Sequence, residues 1–236
     1  MCGRFTRTTS PAALAETFAA APPTEATPDG ILAPGQPILI LRFNPATGRR
    51  TLDPARWGLI PHWTREAVPA GKLFNARAET LAERPAFRDP FQRRRCLIPA
   101  EDFFERDDHP PRRLHRIAPR QGGLLALAGL WDNWRGPDGT WRRSATIITT
   151  EARDPVAALH PRMPVPLAPE DWPLWLGEIP APAEALADLL RPRPRPELAA
   201  RAETGPQHPL DLSPSSPPGP LGERADRTDT SADTRT

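Results

Sequence analysis

Lysine is almost missing from this sequence: Lys72 is the only one, and every other basic side chain is arginine. Any cationic surface it offers is therefore guanidinium. A GC-rich genome explains most of such a bias. The functional reading is recognition of phosphate, whose oxygens match the planar guanidinium fork. The net charge of only +2 does not choose between them. Cysteine is also scarce. Two residues, Cys2 and Cys96, cannot make a disulfide framework, and no Cys/His cluster has zinc spacing. This suggests a reducing, cytoplasmic setting in which Cys2 persists as a thiol, with no metal or other cofactor. No charged-then-apolar signal pattern opens the chain, and no apolar run approaches the ~18 residues of a membrane span. No internal repeat recurs at a fixed period. Apolar residues are few, at 38%, and proline is high, at 34 residues, densest in the last fifth. The remainder is still rich in proline but has enough length, within 236 residues, to bury a core.

What is present organises into short elements. SPAALAETFA (10–19) is expected to be a helix, with Ser10 as cap and Pro11 in its first turn. PILILRF (37–43), the turn NPATG and RRTLDPARW (49–57) suggest a strand pair. The stretch 61–95 reads as irregular, and RCLIPA (95–100) as another strand. LHRIAP, GLLALAGLWDNW and TWRRSATIITT continue the β pattern, with GPDG as a hairpin turn and ATIITT as a central strand. DPVAALH (154–160), PEDWPLWLG and PAEALADLLR are expected to be helices. Non-alternating strands and helices point to an α+β domain with a mostly antiparallel β core and several short flanking helices. The expected domain spans 2–214, followed by a disordered polar, Pro-rich tail over 215–236.

Four stretches carry candidate chemistry. Cys2 follows the initiator methionine. A small second residue favours removal of Met1, and the product is a 1,2-aminothiol. Its amine and thiol have reference pKa values of ~7.7–8.0 and ~8.5, so both offer reactive forms near neutrality. The thiolate could attack an acyl carbon with the amine as base. Alternatively, the amine could condense with an aldehyde, and the thiol then close a thiazolidine ring. In LFNARAET (73–80), Asn75, Arg77 and Glu79 alternate with small or apolar residues, which sets an amide and a guanidinium on one face of an edge strand or turn. In RRRCLIPAEDFFE (93–105), Glu101, Asp102 and Glu105 are equally open as acid/base groups; two Phe before Glu105 would raise its pKa. In ALHPRMPV (158–165), His160 and Arg162 flank Pro161, which suits a proton shuttle beside a phosphate. In RWGLIPHW (56–63), Trp57 reads as core, whereas Trp63 could stack on a base.

In order, MCGRF, LAPGQ, RWGLIPHW, FNARAET, RRCLIPAEDFFE, LAGLW, IITTEA and LHPRMPV resemble the SRAP (SOS response-associated peptidase) family through nearly all of residues 2–212, where HPLDL (208–212) is similar to its closing motif. The resemblance implies that family's α+β fold and a positively charged groove for single-stranded DNA. It also implies loss of Met1 and trapping of abasic sites by Cys2 as a stable DNA–protein crosslink. An associated lyase or self-processing peptidase activity is implied too. Carried over by motif, the catalytic group is Cys2, Asn75, Glu105 and His160. Arg4, Arg77 and Arg162 would hold phosphates, while Thr149, Trp63 and Pro34 would line the groove. The expected partner is single-stranded DNA with abasic sites, bound by a monomer that becomes nucleoid-associated when acting on DNA. Arg106 and Thr64 stand where family members often carry aromatic residues, and DGI precedes LAPGQ where an aromatic-Asn pair is expected. Two rival readings are a class II glutamine amidotransferase, which shares the MCG start and an RGPD-like stretch (135–139 here), and a single-strand binder with an inert Cys2.

Overall fold

Two long hairpins form the backbone of the fold. A computed structural model describes residues 2–69, 71–108, 111–195 and 197–203. The chain runs through β1 (Phe5–Arg7), α1 (Pro11–Thr17), β2 (Ala20–Ala21), β3 (Gly30–Leu32), β4 (Pro37–Asn44) and β5 (Arg49–Trp57). Next come β6 (Asn75–Arg77), α2 (Pro85–Arg93), β7 (Arg95–Ala100), β8 (Asp102–Arg106), β9 (Leu114–Pro119), β10 (Leu125–Arg135) and β11 (Trp141–Glu151). The described part ends with β12 (Arg162–Pro164), α3 (Trp172–Leu176), α4 (Ala183–Leu189) and β13 (Leu198–Ala202). An eight-stranded sheet has the order β12-β11-β10-β7-β4-β5-β2, with β6 joined to β11. A five-stranded sheet has the order β13-β9-β8-β1-β3. Pairing is antiparallel throughout except for β2 on β5 and for β5 and β6 on β11. The class is α+β, as the sequence pattern suggests.

The strands of the larger sheet separate two cores. Leu39, Leu41, Leu97, Ala128, Leu130 and Ile148 face the helices, where Leu14, Phe87, Phe91, Trp175 and Leu186 cover them. Ile38, Ile40, Ile98, Leu127, Ala145 and Ile147 face the smaller sheet and meet Phe5, Leu32, Phe103, Ile117 and Leu198. This is the alternation of a strand buried on both faces. Trp57 is fully buried, as its apolar setting suggests, and its indole donates to the Phe74 carbonyl at 2.9 Å.

Two local expectations change, and one strand appears where none was assigned. DPVAALH is a run of turns rather than a helix. Ala157 and His160 donate to carbonyls four residues back, at Arg153 and Val156, but these bonds are not consecutive and no ladder propagates. Pro161 then stops any extension. The 61–95 stretch contains α2, in which Phe87, Pro90 and Phe91 face the core and Pro85 starts the helix. Its internal Pro90 and many arginines hide it in the sequence. The Pro-rich stretch after residue 191 contains β13, paired antiparallel with β9 and anchored by the fully buried Leu198. GPDG forms the β10–β11 hairpin as expected: Gly136 donates to Thr140 at 2.9 Å, and Gly139 takes φ 79°. HPLDL and the 215–236 tail lie outside the described residues. Among those residues, no helix is long and apolar enough to cross a membrane.

Candidate active site

The N-terminal strand places Cys2 between the sheets. Phe5 pairs with Phe103, and the Phe104 amide donates to the Arg4 carbonyl at 3.0 Å. Continuing that antiparallel register sets Gly3 beside Glu105. Cys2 belongs to the core shared by the two sheets, with 0% of its surface exposed. Its sulfur lies 3.7 Å from the Arg4 carbonyl oxygen. Burial pushes the thiol well above its ordinary pKa, and the Glu105 charge pushes it further. The thiol is therefore neutral here, not the partly ionised group suggested by its reference value.

From the other side, β11 organises the remaining candidates through its register. Asn75 on β6 pairs with Ile147, and its Nδ2 donates to the Cys2 carbonyl at 2.8 Å. Two residues on, Arg77 pairs with Thr149; beyond it, Arg162 on β12 pairs with Glu151. Thus the alternation in NARAE does put Asn75 and Arg77 on one strand at a two-residue step.

Glu105 is 4% exposed, and burial raises its pKa above the ordinary carboxylate value, partly offset by the His160 charge. Bonding elsewhere separates the other two carboxylates from it. Glu101 is spent on the backbone amides of Thr8 and Thr9, at 2.7 and 2.8 Å. Asp102 accepts from Arg116 Nε at 2.6 Å. His160 Nδ1 lies 3.0 Å from both the amide nitrogen and the carbonyl oxygen of Arg162, which anchors the ring through Nδ1. A cavity of about 270 Å³ lies over this group, lined by Gly3, Arg4, Glu105, Arg106, Arg112 and His160 among others. Arg4 is made a weaker proton holder than usual first by burial, then by the charge of Arg106.

The groove candidates divide. Arg4 lines the cavity, and Arg77 is exposed. Arg162 is mostly covered and holds Glu79 through both nitrogens of its fork, at 2.7 and 2.9 Å. Thr149 is fully buried; its hydroxyl bonds the Ala76 carbonyl at 3.4 Å and lies 3.4 Å from Arg162 Nη2. Its surroundings make it a support for Arg162, with no exposed surface of its own. Trp63 stands 57% exposed in the loop after Ile60. Pro34 opens a tight turn in which Gly35 takes φ 96° and donates to the Trp57 carbonyl at 2.7 Å. Sequence reading missed the contributions of Arg106 and Arg112 to the cavity and the partner role of Glu79. The FFER run hinted at Arg106, because it directly follows Glu105. Among the described residues, no cluster of His, Cys, Asp and Glu could hold a metal ion. RGPDG is fully accounted for by the hairpin.

The chain is similar to several proteins of known name or structure. A protein from Bacillus subtilis (strain 168) named abasic site processing protein YoqW is 38% identical over 205 residues, covering 85% of this chain and 91% of its own. A mouse protein named abasic site processing protein HMCES is 29% identical over 189 residues, covering 64% of this chain and 53% of its own. A crystal structure from Bordetella bronchiseptica superposes with a TM-score of 0.73 at 30% identity, covering 86% of this chain and 99% of that one. Another, from Bacteroides thetaiotaomicron, shares the fold with a TM-score of 0.77 at 23% identity, covering 92% of this chain and 97% of that one. The sequence model of SOS response associated peptidase (SRAP) matches residues 1–203, and the chain belongs to that family.

Proposed function

We propose that this protein processes abasic sites in single-stranded DNA, trapping them covalently through Cys2. The observation that carries the reading is the convergence of Asn75, Glu105 and His160 on the Cys2 end of one strand, beneath a cavity edged by Arg4. The names of the curated relatives support the substrate class.

The chemistry starts when hydrolysis of the Met1–Cys2 bond frees the Cys2 amine. An abasic deoxyribose opens from its ring form to an aldehyde at C1′. The amine nitrogen attacks C1′, and proton transfer gives a carbinolamine. Loss of water leaves an imine. The thiol then adds across the C=N bond, sulfur to C1′ and hydrogen to nitrogen, closing a five-membered thiazolidine. A neutral thiol suits this last step, because the proton it loses ends on the ring nitrogen. Glu105, with its raised pKa, is suited to exchange protons during ring opening and water loss. His160, anchored through Nδ1, is suited to serve the imine stage. Asn75 fixes the Cys2 carbonyl and so the direction of its amine. Arg4, Arg77 and Arg162 contact phosphates, and exposed Trp63 stacks on a base, giving binding with little sequence readout. Both thiols are free, which suits a monomer acting in a reducing cytoplasm and on nucleoid DNA.

The decisive experiment mixes the protein with a single-stranded oligonucleotide bearing one abasic site and resolves the products on a denaturing gel. A shifted covalent band is expected. Cys2→Ala abolishes it, and so does an uncleaved N-terminal extension. Release of ammonia from glutamine with no band would favour an amidotransferase. Binding with no band, with Met1 confirmed absent, would favour a simple binder and end this reading.

A further inference from the structure

We propose that Glu79 is a built-in competitor for Arg162: it fills the guanidinium fork in the free protein, and a DNA phosphate must displace it to be held there. The proposal rests on the reading of Arg162 as a phosphate contact given above.

A guanidinium has five N–H donors. In Arg162, Nη1 donates to Glu79 Oε1 at 2.7 Å, and Nη2 donates to Glu79 Oε2 at 2.9 Å and to the Thr149 carbonyl at 2.6 Å. Its Nε is buried and has no hydrogen-bond partner among the described residues. One Nη1 hydrogen remains, too few for the two parallel bonds by which arginine grips an anion. The carboxylate already makes those two bonds with the geometry a phosphate would use.

The two side chains are not equally covered. Arg162 is 18% exposed and Glu79 49%, so the carboxylate lies on the solvent side of the pair. A ligand coming from solvent meets Glu79 first. Burial raises the Glu79 pKa, but the bonds and charge of Arg162 outweigh it and hold the carboxylate below its usual range. Glu79 is thus a full anion in its place at neutral pH, as a competitor must be.

The release path is also present. Glu79 sits in a single 3-10 turn, Ala78–Thr80, just after β6, and besides Arg162 its carboxylate accepts from its own backbone amide, a local bond that exchange at Arg162 leaves in place. Arg77, two residues back, is exposed, and its charge also acts on Glu79. A phosphate that takes the fork therefore leaves the displaced carboxylate half solvated and near a second cation. Such an exchange is nearly balanced for one phosphate. It favours a strand that brings several phosphates to Arg4, Arg77 and Arg162 together, and it rejects isolated small anions.

The test measures binding of a fluorescent, undamaged oligothymidylate over a series of salt concentrations. Wild type, Glu79→Gln, Glu79→Ala, Arg162→Gln and the double variant Glu79→Gln/Arg162→Gln are compared. Both Glu79 variants should bind about two- to fivefold more tightly than wild type, the worth of one partly exposed ion pair. Their salt dependence should steepen by up to about 0.7 in the log–log slope, because no freed carboxylate recaptures a cation. In the Arg162→Gln background, Glu79→Gln should lose most of its effect. Unchanged or weaker binding in both Glu79 variants, with unchanged melting temperatures, would mean that Glu79 only holds Arg162 in place and would overturn the proposal. Wild type that binds no oligothymidylate would instead sink the DNA reading, and this proposal with it.

Discussion

The side-chain amide of Asn75 donates to the main-chain carbonyl of Cys2 at 2.8 Å. The two residues are 73 positions apart in sequence, and β6 and β11 bring them together. The other side of the amide, Oδ1, is buried and has no partner among the described residues. A free acceptor beside Cys2 suits its amine once Met1 is gone. Asn75→Asp exchanges the donor for a second oxygen and sets two acceptors against the carbonyl. Single-turnover crosslinking should slow by about 10²-fold, the usual cost of a misplaced reactive group. Retention of the wild-type rate in Asn75→Asp would remove Asn75 from the site.

With the proton-transfer role proposed for it, Glu105 would tie both stability and crosslinking to pH. Burial raises its pKa above the value in the unfolded chain, so the folded state binds its proton more tightly. That contribution to stability is complete below the unfolded pKa of about 4.3 and is lost as pH rises through the folded one. Glu105→Gln carries no such loss. The variant should melt with wild type in acid and above it at neutral and alkaline pH. Each pH unit between the two pKa values is worth about 1.4 kcal/mol, and each kcal/mol about 2–4 °C for a chain of this size. Crosslinking should slow in the same variant while DNA affinity holds. Thermal melts across pH, together with gel rates, check both; equal loss of affinity and rate would make Glu105 structural.

Much of the fold is legible because its strands advertise themselves. PILILRF, RCLIPA and ATIITT are apolar or β-branched runs bounded by turns, and each is a strand of the larger sheet. The helix α2 is illegible for a local reason, since Pro90 lies inside it and arginines surround its three core residues. β13 is illegible because LAARA has no strand preference and is held by pairing to β9 and by the buried Leu198. At the site, position in the sequence makes Cys2 conspicuous, but its neighbours are not. Apart from the family motif, residue chemistry does not separate Glu105 from Glu101; the fold does, by spending Glu101 on the Thr8 and Thr9 amides. The Arg162–Glu79 pair joins residues 83 apart, a contact that no local pattern announces.

The two cysteines should separate chemically. Both are fully buried, and burial raises both thiols well above their ordinary pKa. Neither should react readily with iodoacetamide in the native protein, while both should react after denaturation. Cys96→Ala removes only a core sulfur, since the bond from Trp175 at 2.8 Å goes to the Cys96 carbonyl. It should cost about 1–2 kcal/mol of stability and leave crosslinking intact. Cys2→Ala should fold equally well and form no crosslink. Mass spectrometry of the alkylated protein and a denaturing gel read out the two halves. Loss of crosslinking in a folded Cys96→Ala variant would contradict this division.

Gly129 tests whether the central strands hold the site in place. It lies mid-strand on β10, paired with Cys96 on one side and Ile147 on the other. A Cβ there would come within 2.8 Å of Ile98 Cδ1, 2.9 Å of the Thr146 carbonyl and 3.1 Å of Cys96 Sγ. The isoleucine tip can turn away, but a ladder carbonyl moves only if β10 and β11 shift. Gly129→Ala should therefore cost about 1–3 kcal/mol despite the usual gain from replacing a strand glycine. At about 2–4 °C per kcal/mol, the melting temperature should fall measurably. Ile147 is also the partner of Asn75, so any movement of β11 reaches the Cys2 carbonyl through the 2.8 Å bond. Crosslinking should slow even at temperatures where the variant is fully folded. An unchanged melting temperature would show that the sheet absorbs the methyl group. A lowered one with an unchanged rate would show that Asn75 is positioned independently of β10.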